Sequence, residues 1–350
     1  MKGRHCFGVV ASLLYASVLC SQPSDSLRHC TLMAFGDINL GRSVGQWLLN
    51  GELEYPFGKM GPLLRSADIV FANLESPLSD QRGETESPSS NVVFCGPPVA
   101  ASVLHKGGVS VVSTANNHAF DYGLKGLNET IRFLRNEQIA FAGTSEEKTD
   151  SMFAPAIVER NGIRVGFLGY TQLVNIQGEW AGHISLYDGE RAEREVRSLK
   201  EKADFVVASF HGGTEYADSP DEQSVLQMRA LVDAGADVVL GHHPHVPQGI
   251  ELYKDKLIVH SLGNFVFYQP QFSWTGKSYG LELFLKKDGS GTTISSMRLI
   301  PFRPSLQPSQ NLGERERTDL LVRVKKLSSG SIQFHGVSIE VQHPPRMTRE

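Results

Sequence analysis

Ala236-Asp237-Val238-Val239-Leu240-Gly241-His242-His243-Pro244-His245 is a short apolar run, a glycine, and then three imidazoles within four residues. The run reads as a buried strand closed by Gly241. Packing gains nothing from crowding polar rings at a strand end. Neutral imidazoles, in contrast, are common ligands for zinc, iron and other transition ions. The stretch reads as a metal site. A solvent-facing polar loop is the plainer alternative.

The same arrangement recurs outward along the chain. Cys30 to Phe35 is strand-like and leads into Gly36 and Asp37. Ala67 to Ala72 leads into Asn73, Leu74 and Glu75. Val109 to Ser113 leads into Asn116, Asn117, His118 and Asp121. Phe205 to Phe210 ends at His211, and Leu257 to Leu262 carries His260 and Ser261, followed by Asn264. Between these runs lie helical segments. Leu124 to Asn136 places Leu124, Leu127, Ile131 and Leu134 at helical spacing, Gly189 to Glu201 is charged, and Ser224 to Ala234 is closed by Gly235. The Asn161-Gly162 pair marks a hairpin turn. Residues 76–91, rich in Ser, Pro, Gly and Glu, read as an exposed loop. Strands alternating with helices, then strands alone (Leu281 to Leu285, Thr293 to Leu299), predict an α/β core with an antiparallel appendage.

In α/β folds ligands sit at the carboxyl ends of the strands. The chain thus sends carboxylates, amides and imidazoles to one edge. Such a mixed set suits Zn, Mn or Fe, and two ions about 3.5–4 Å apart can hold a hydroxide and clamp the oxygens of a phosphoryl group. Each residue alone has a plainer reading. Asp37 could cap the next helix, Asn117 could serve a turn, His118 could be a core histidine bonded to Asp121, and Glu75 could face solvent. It is the recurrence after strand upon strand that argues for a site.

Composition limits the alternatives. The 350 residues are 40% hydrophobic and 21% charged, which is globular rather than disordered. A net charge of −4 gives no reason to expect a nucleic-acid protein. There is no phosphate-binding loop, no Gly-x-Ser-x-Gly elbow and no dinucleotide fingerprint. A serine nucleophile at Ser261 would need His211 or His243 as its base. Lys2, Arg4 and His5 precede an apolar run from Phe7 to Cys20, which predicts a signal peptide or anchor over residues 1–20. Export would allow Cys30 and Cys95 to pair. Residues 30–300 form the expected main domain. Residues 301–350 read as a linker, two edge strands (Leu320 to Val324, Ser331 to Val341) and a frayed tail.

Five blocks carry a family resemblance. They are Gly36-Asp37-Ile38-Asn39-Leu40-Gly41-Arg42, Asn73-Leu74-Glu75-Ser76-Pro77, residues 115–123 around Asn117-His118, residues 235–246, and Ser261-Leu262-Gly263-Asn264-Phe265-Val266-Phe267. Together they resemble the bacterial capsule-synthesis proteins of the poly-γ-glutamate type, the CapA family, over about residues 31–268. The resemblance implies a four-layered α/β/β/α sandwich of the metallophosphoesterase type with a dinuclear metal site. It implies Asp37, Glu75, Asn117, His211, His243 and His245 as ligands of two divalent ions (Mn, Zn or Fe), with His242 as an alternative to His243. It implies His118, partnered by Asp121, as the group that assists the leaving oxygen. Asn39 stands where the wider superfamily has a histidine, Glu75 where it has an aspartate, and Gly212 where this branch commonly has a tryptophan.

The function implied is an exported metal-dependent hydrolase-like protein of capsule or poly-γ-glutamate biosynthesis, with hydroxide attacking a phosphoester. The expected location is the outer face of the membrane. Expected partners are membrane-bound polyglutamate synthase components and an anionic polymer or phosphoester. The rival readings are a non-catalytic polymer assembly component and a metal-dependent amide hydrolase.

Overall fold

The computed structural model describes Gly3, residues 27–149 and residues 151–341. The expected leader and frayed tail lie outside the described residues.

In chain order the strands are β1 Arg28–Ile38, β2 Ile69–Leu74, β3 Glu86–Ser87, β4 Ser90–Phe94, β5 Val111–Ser113, β6 Ala140–Ala142, β7 Ala156–Arg160, β8 Ile163–Thr171, β9 Phe205–His211, β10 Val238–His242, β11 Ile250–Tyr253, β12 Lys256–Val259, β13 Asn264–Val266, β14 Ser278–Asp288, β15 Gly291–Phe302, β16 Ile332–His335 and β17 Ser338–Val341. The helices are α1 Arg42–Leu49, α2 Gly61–Leu64, α3 Ala100–Gly107, α4 Gly123–Asn136, α5 Gly189–Lys200, α6 Glu222–Ala234 and α7 Glu314–Leu327.

Two sheets stack face to face. The first has the order β16-β17-β15-β14-β1-β2-β5-β6, with β13 paired to the far end of β1. The second has the order β11-β12-β10-β9-β8-β7. Their inner faces share one core, in which Leu32, Ala34, Phe71 and Val111 meet Phe167, Val207, Val238 and Leu240. The outer face of the first sheet packs Met33, Phe35, Val70 and Val112 against Val44, Leu48, Leu64 and Leu104 of α1, α2 and α3. The outer face of the second packs Leu168, Val206 and Val239 against α5 and α6. The chain is therefore a four-layered α/β/β/α sandwich. The central strands are buried on both faces, which is why they read as continuous apolar runs rather than as alternating ones.

Local signals place the connections. Asp188 and Asp221 cap α5 and α6, accepting from the amides of Arg191 and Ser224 at 2.8 Å. Asn161 and Gly162 take positive φ in the β7–β8 turn. Three expectations are corrected. The segment Leu320 to Val324 is helix, not strand: buried Leu320, Arg323 and Val324 follow a helical period. Glu314 and Glu316 in the first turn and Lys325 and Lys326 in the last suit the helix dipole. Ser331 to Val341 forms the hairpin β16–β17 instead of one strand. Residues 76–91 are not wholly an exposed loop, since Ser76 to Ser79 are buried and β3 pairs with β4.

The expected appendage is a continuation of the first sheet, because β14 pairs antiparallel along β1 from Arg28 to Ala34. Among the described residues no helix is long and apolar enough to cross a membrane. Cys30 and Cys95 are both buried as free thiols, and burial pushes each up to about 12.

Candidate metal centre

Strand register assembles the site. β1 and β2 run parallel and set Asp37 opposite Asn73, while β13 sets Asn264 opposite Asp37 on the other side. In the second sheet, β9 and β10 set His211 opposite His242. The carboxyl ends of both sheets meet here. The approach of β13 to β1 is close, with the Asp37 amide donating to the Gly263 carbonyl at 3.1 Å. A Cβ at Gly36 would lie 1.7 Å from that carbonyl oxygen, so only glycine fits.

All eight predicted site residues are buried. Five of them form two groups that could each hold a metal ion and that share Glu75. One ligand-capable atom from each of Glu75, His211 and His243 lies within 4.8 Å of the others, and the same holds for Asp37, Glu75 and His245. Glu75 Oε1 is 3.6 Å from His211 Nε2 and 3.8 Å from His245 Nε2. Asn117 Oδ1 lies 2.8 Å from His211 Nε2, against the first group. His242 stands beside the second group, its Nδ1 3.3 Å from Asp37 Oδ1.

The donor set fits divalent ions. Both Glu75 oxygens, Asp37 Oδ2 and His243 Nδ1 are buried without a hydrogen-bond partner. Buried polar atoms are seldom left so, and a cation is the group that would satisfy several carboxylate and imidazole atoms together.

The electrostatics agree with that reading. Burial pushes the Glu75 carboxyl well up, and the nearby Asp37 adds to it. Burial also acts on Asp37, but the adjacent His242 and His245 rings outweigh it and hold that carboxyl well below its ordinary range. Burial and the neighbouring His243 push His211 well down. Burial and His245 push His243 down to about 3. His211 and His243 are thus kept neutral, the form in which imidazoles bind metals. His243 and His245 take φ values of 96° and 60°, a left-handed backbone that non-glycine residues rarely adopt. Such strain clusters at functional sites.

His118 sits at the edge of this centre. Its Nδ1 is 2.8 Å from Asp121 Oδ2, and its ring stacks on Phe94 at 4.3 Å. Asp121 Oδ2 also accepts from the Phe94 amide at 3.1 Å. Burial raises the Asp121 carboxyl.

Sequence reading places Asn73 and Asn264 at the strand ends without giving them a role, and it misses Tyr216 and Arg42. Asn73 donates to Asp37 Oδ1 at 2.9 Å and lies 3.2 Å from His211 Nδ1. Asn264 Oδ1 is 2.9 Å from His245 Nδ1. Both stand at strand ends, which was the available signal. Tyr216, 6.0 Å from the His245 ring, comes from a loop, and Arg42, 4.5 Å over Phe94, is the first residue of α1; no periodicity marks either. Asn39 Oδ1 accepts from the Gly41 amide at 2.8 Å, so that position serves the turn into α1. At Gly212 a Cβ would lie 2.2 Å from Gln172 Oε1, so Gln172 fills the wall on that side. Ser261 is buried, and its hydroxyl accepts from the Gly263 amide at 3.1 Å.

The family described as bacterial capsule synthesis protein PGA_cap matches residues 31–269. The chain is 33% identical over 256 residues to the capsule biosynthesis protein CapA of Bacillus anthracis, covering 70% of this chain and 61% of that one. It is 32% identical over 260 residues to the PGA biosynthesis protein CapA of Bacillus subtilis (strain 168), covering 73% of this chain and 68% of that one. A crystal structure of the calcineurin-like phosphoesterase YfkN from Bacillus subtilis is similar at 16% identity and a TM-score of 0.44, covering 86% of this chain and 97% of that one. This likeness carries no argument about activity. The family match over residues 31–269 and the two relatives carry the assignment: the chain belongs to the bacterial capsule synthesis protein PGA_cap family.

Proposed function

We propose that this chain is a metal-dependent hydrolase that cleaves a phosphoester in capsule or poly-γ-glutamate biosynthesis. The observation that carries the reading is Glu75, buried between two donor groups and shared by both. In this reading Glu75 would help hold two divalent ions, with Asn117, His211 and His243 holding one and Asp37 and His245 the other. Ions held there supply Lewis acidity and an activated water.

The chain's own residues supply the rest. Asp121 accepts from His118 Nδ1 and fixes the ring, so that Nε2 is left to hand a proton to the leaving oxygen. Phe94 stacks on the ring and limits its exposure to water. Asn73 and Asn264 hold Asp37 and His245 in place. The proposed setting is the outer face of the cell membrane, beside a membrane-bound polyglutamate synthase, with an anionic polymer or phosphoester as substrate. Support for the setting is the family and the biosynthetic names of its CapA relatives.

The test is metal content measured alongside phosphodiesterase turnover, with and without chelator. The expected result is about two ions per chain and turnover that chelation abolishes, with loss of metal-dependent turnover in His245→Ala. Unchanged turnover in His245→Ala would sink the reading.

A further inference from the structure

Arg323 is a cation the site chemistry above does not use, and it is only 9% exposed. It lies on α7, beyond the residues the family match covers. Burying a guanidinium is costly unless its donors are occupied. Here they are. Nε donates to the Pro247 carbonyl at 2.9 Å, and Nη2 donates to Asp218 Oδ1 at 2.7 Å. The guanidinium carbon stands 4.4 Å over the Trp274 ring.

These three partners belong to three separate loops beside the metal centre. Pro247 lies two residues beyond His245. Its neighbour Gln248 is held as well: its amide donates to the Ser261 carbonyl at 3.0 Å, its side chain to the Ala217 carbonyl at 2.9 Å, and its own carbonyl accepts from Tyr279 at 2.9 Å. The loop carrying Asp218 also carries Tyr216, whose amide donates to the Pro244 carbonyl at 2.9 Å. The side chain of Asp218 is 71% exposed, so the ion pair itself adds little stability. What the buried cation does is tie the loops together, next to a backbone strained at His243 and His245.

We propose that Arg323 is a positioning residue for the metal centre, holding the Pro247 carbonyl so that His245 stays aimed at Asp37 and Glu75. The proposal rests on the metal-centre reading above. It makes the C-terminal helix part of the site. In the group Glu75, His211 and His243, the β9–β10 register sets His211 and His243 directly follows β10, so this group is less dependent on Arg323. Lysine is no substitute, because one ammonium cannot span both acceptors while stacking flat on Trp274.

The experiment titrates Mn²⁺ into chelator-stripped wild type, Arg323→Met, Arg323→Lys and Val324→Ala, with the melting temperature of each metal-free protein measured in parallel. Val324 is fully buried on the same helix, so its truncation loosens α7 without touching Pro247. Arg323→Met is expected to weaken one of the two bound ions about tenfold or more, the size usual for groups that orient ligands, and to leave the other unchanged. Arg323→Lys should fall with Arg323→Met, and it carries the comparison if Arg323→Met does not fold. Val324→Ala should lower the melting temperature while keeping both affinities.

Two results overturn the proposal with the metal-centre reading intact: wild-type affinities in the Arg323 variants, or equal weakening of both ions in Arg323→Met and Val324→Ala. A wild type that takes up fewer than two ions overturns that reading, and this proposal with it.

Discussion

Asn264 Oδ1 lies 2.9 Å from His245 Nδ1. An amide oxygen can only accept, so the histidine carries its proton on Nδ1 and turns Nε2 toward Glu75, 3.8 Å away. β13 exists, in this sense, to aim one ligand. Asn264→Ala should therefore weaken one of two bound Mn²⁺ ions by about tenfold to a hundredfold while the protein stays folded. Calorimetric titration reads this directly. An isotherm identical to wild type would show that the amide orients nothing.

Glu75 is a cost to the metal-free fold, because it is buried, its oxygens lack partners, and Asp37 is close by. Glu75→Gln keeps the shape and removes the charge. Under chelation the variant should melt higher than wild type, by roughly 2–4 °C for each kcal/mol recovered. With Mn²⁺ the order should reverse. Wild type gains about 2.7 kcal/mol per site at a hundredfold excess over Kd, and the variant, missing the shared ligand, gains far less. A variant that melts below wild type under chelation would mean that the carboxylate is stabilising without metal.

The layers and most of the site were legible before the structure because both depend on strands buried on two faces. Such strands read as unbroken apolar runs, and whatever polar residue follows them has to lie at the sheet edge. Asp37, His211 and His245 were found in that way. Phe94, Arg42 and Tyr216 were not, because the end of the short strand β4, the first residue of α1 and a loop deliver them, and no spacing announces where such positions reach. The misreading of α7 has a definite cause. Leu320, Leu321, Val322 and Val324 look strand-like when read alone, and the helix shows only when burial every third and fourth residue is set beside the charges at both ends.

His118 and Asp121 separate chemistry from metal binding. Neither residue is in the two donor groups. His118→Ala should leave both ions bound and lower phosphodiesterase turnover about a hundredfold to ten-thousandfold, the range for a lost general acid. Asp121→Asn should cost less, since the ring remains and loses only its anchor. The decisive comparison is a poor leaving group against a good one. Turnover of p-nitrophenyl esters, which need little protonation, should suffer less than turnover of alkyl esters. Equal losses on both would remove His118 from the proton-transfer role.

Asp204 gives a pH test away from the metal centre. It accepts from the Arg164 amide at 2.8 Å and meets Lys287 Nζ at 2.9 Å, linking the second sheet to β14 of the first. Burial pushes its carboxyl up, but the Arg164 amide and Lys287 outweigh burial and hold it below its ordinary value. A carboxyl lowered in the folded state contributes fully above its unfolded value of about 3.9, and that contribution is lost as pH falls through the folded value. Asp204→Asn should therefore cost about 1–2 kcal/mol at pH 7, as measured by urea unfolding under chelation. The cost should shrink steadily as pH falls below about 3.9 and through the lower folded value, because the wild-type carboxyl is then taking up its own proton. A cost that stays constant across that range would place the effect in packing rather than in charge.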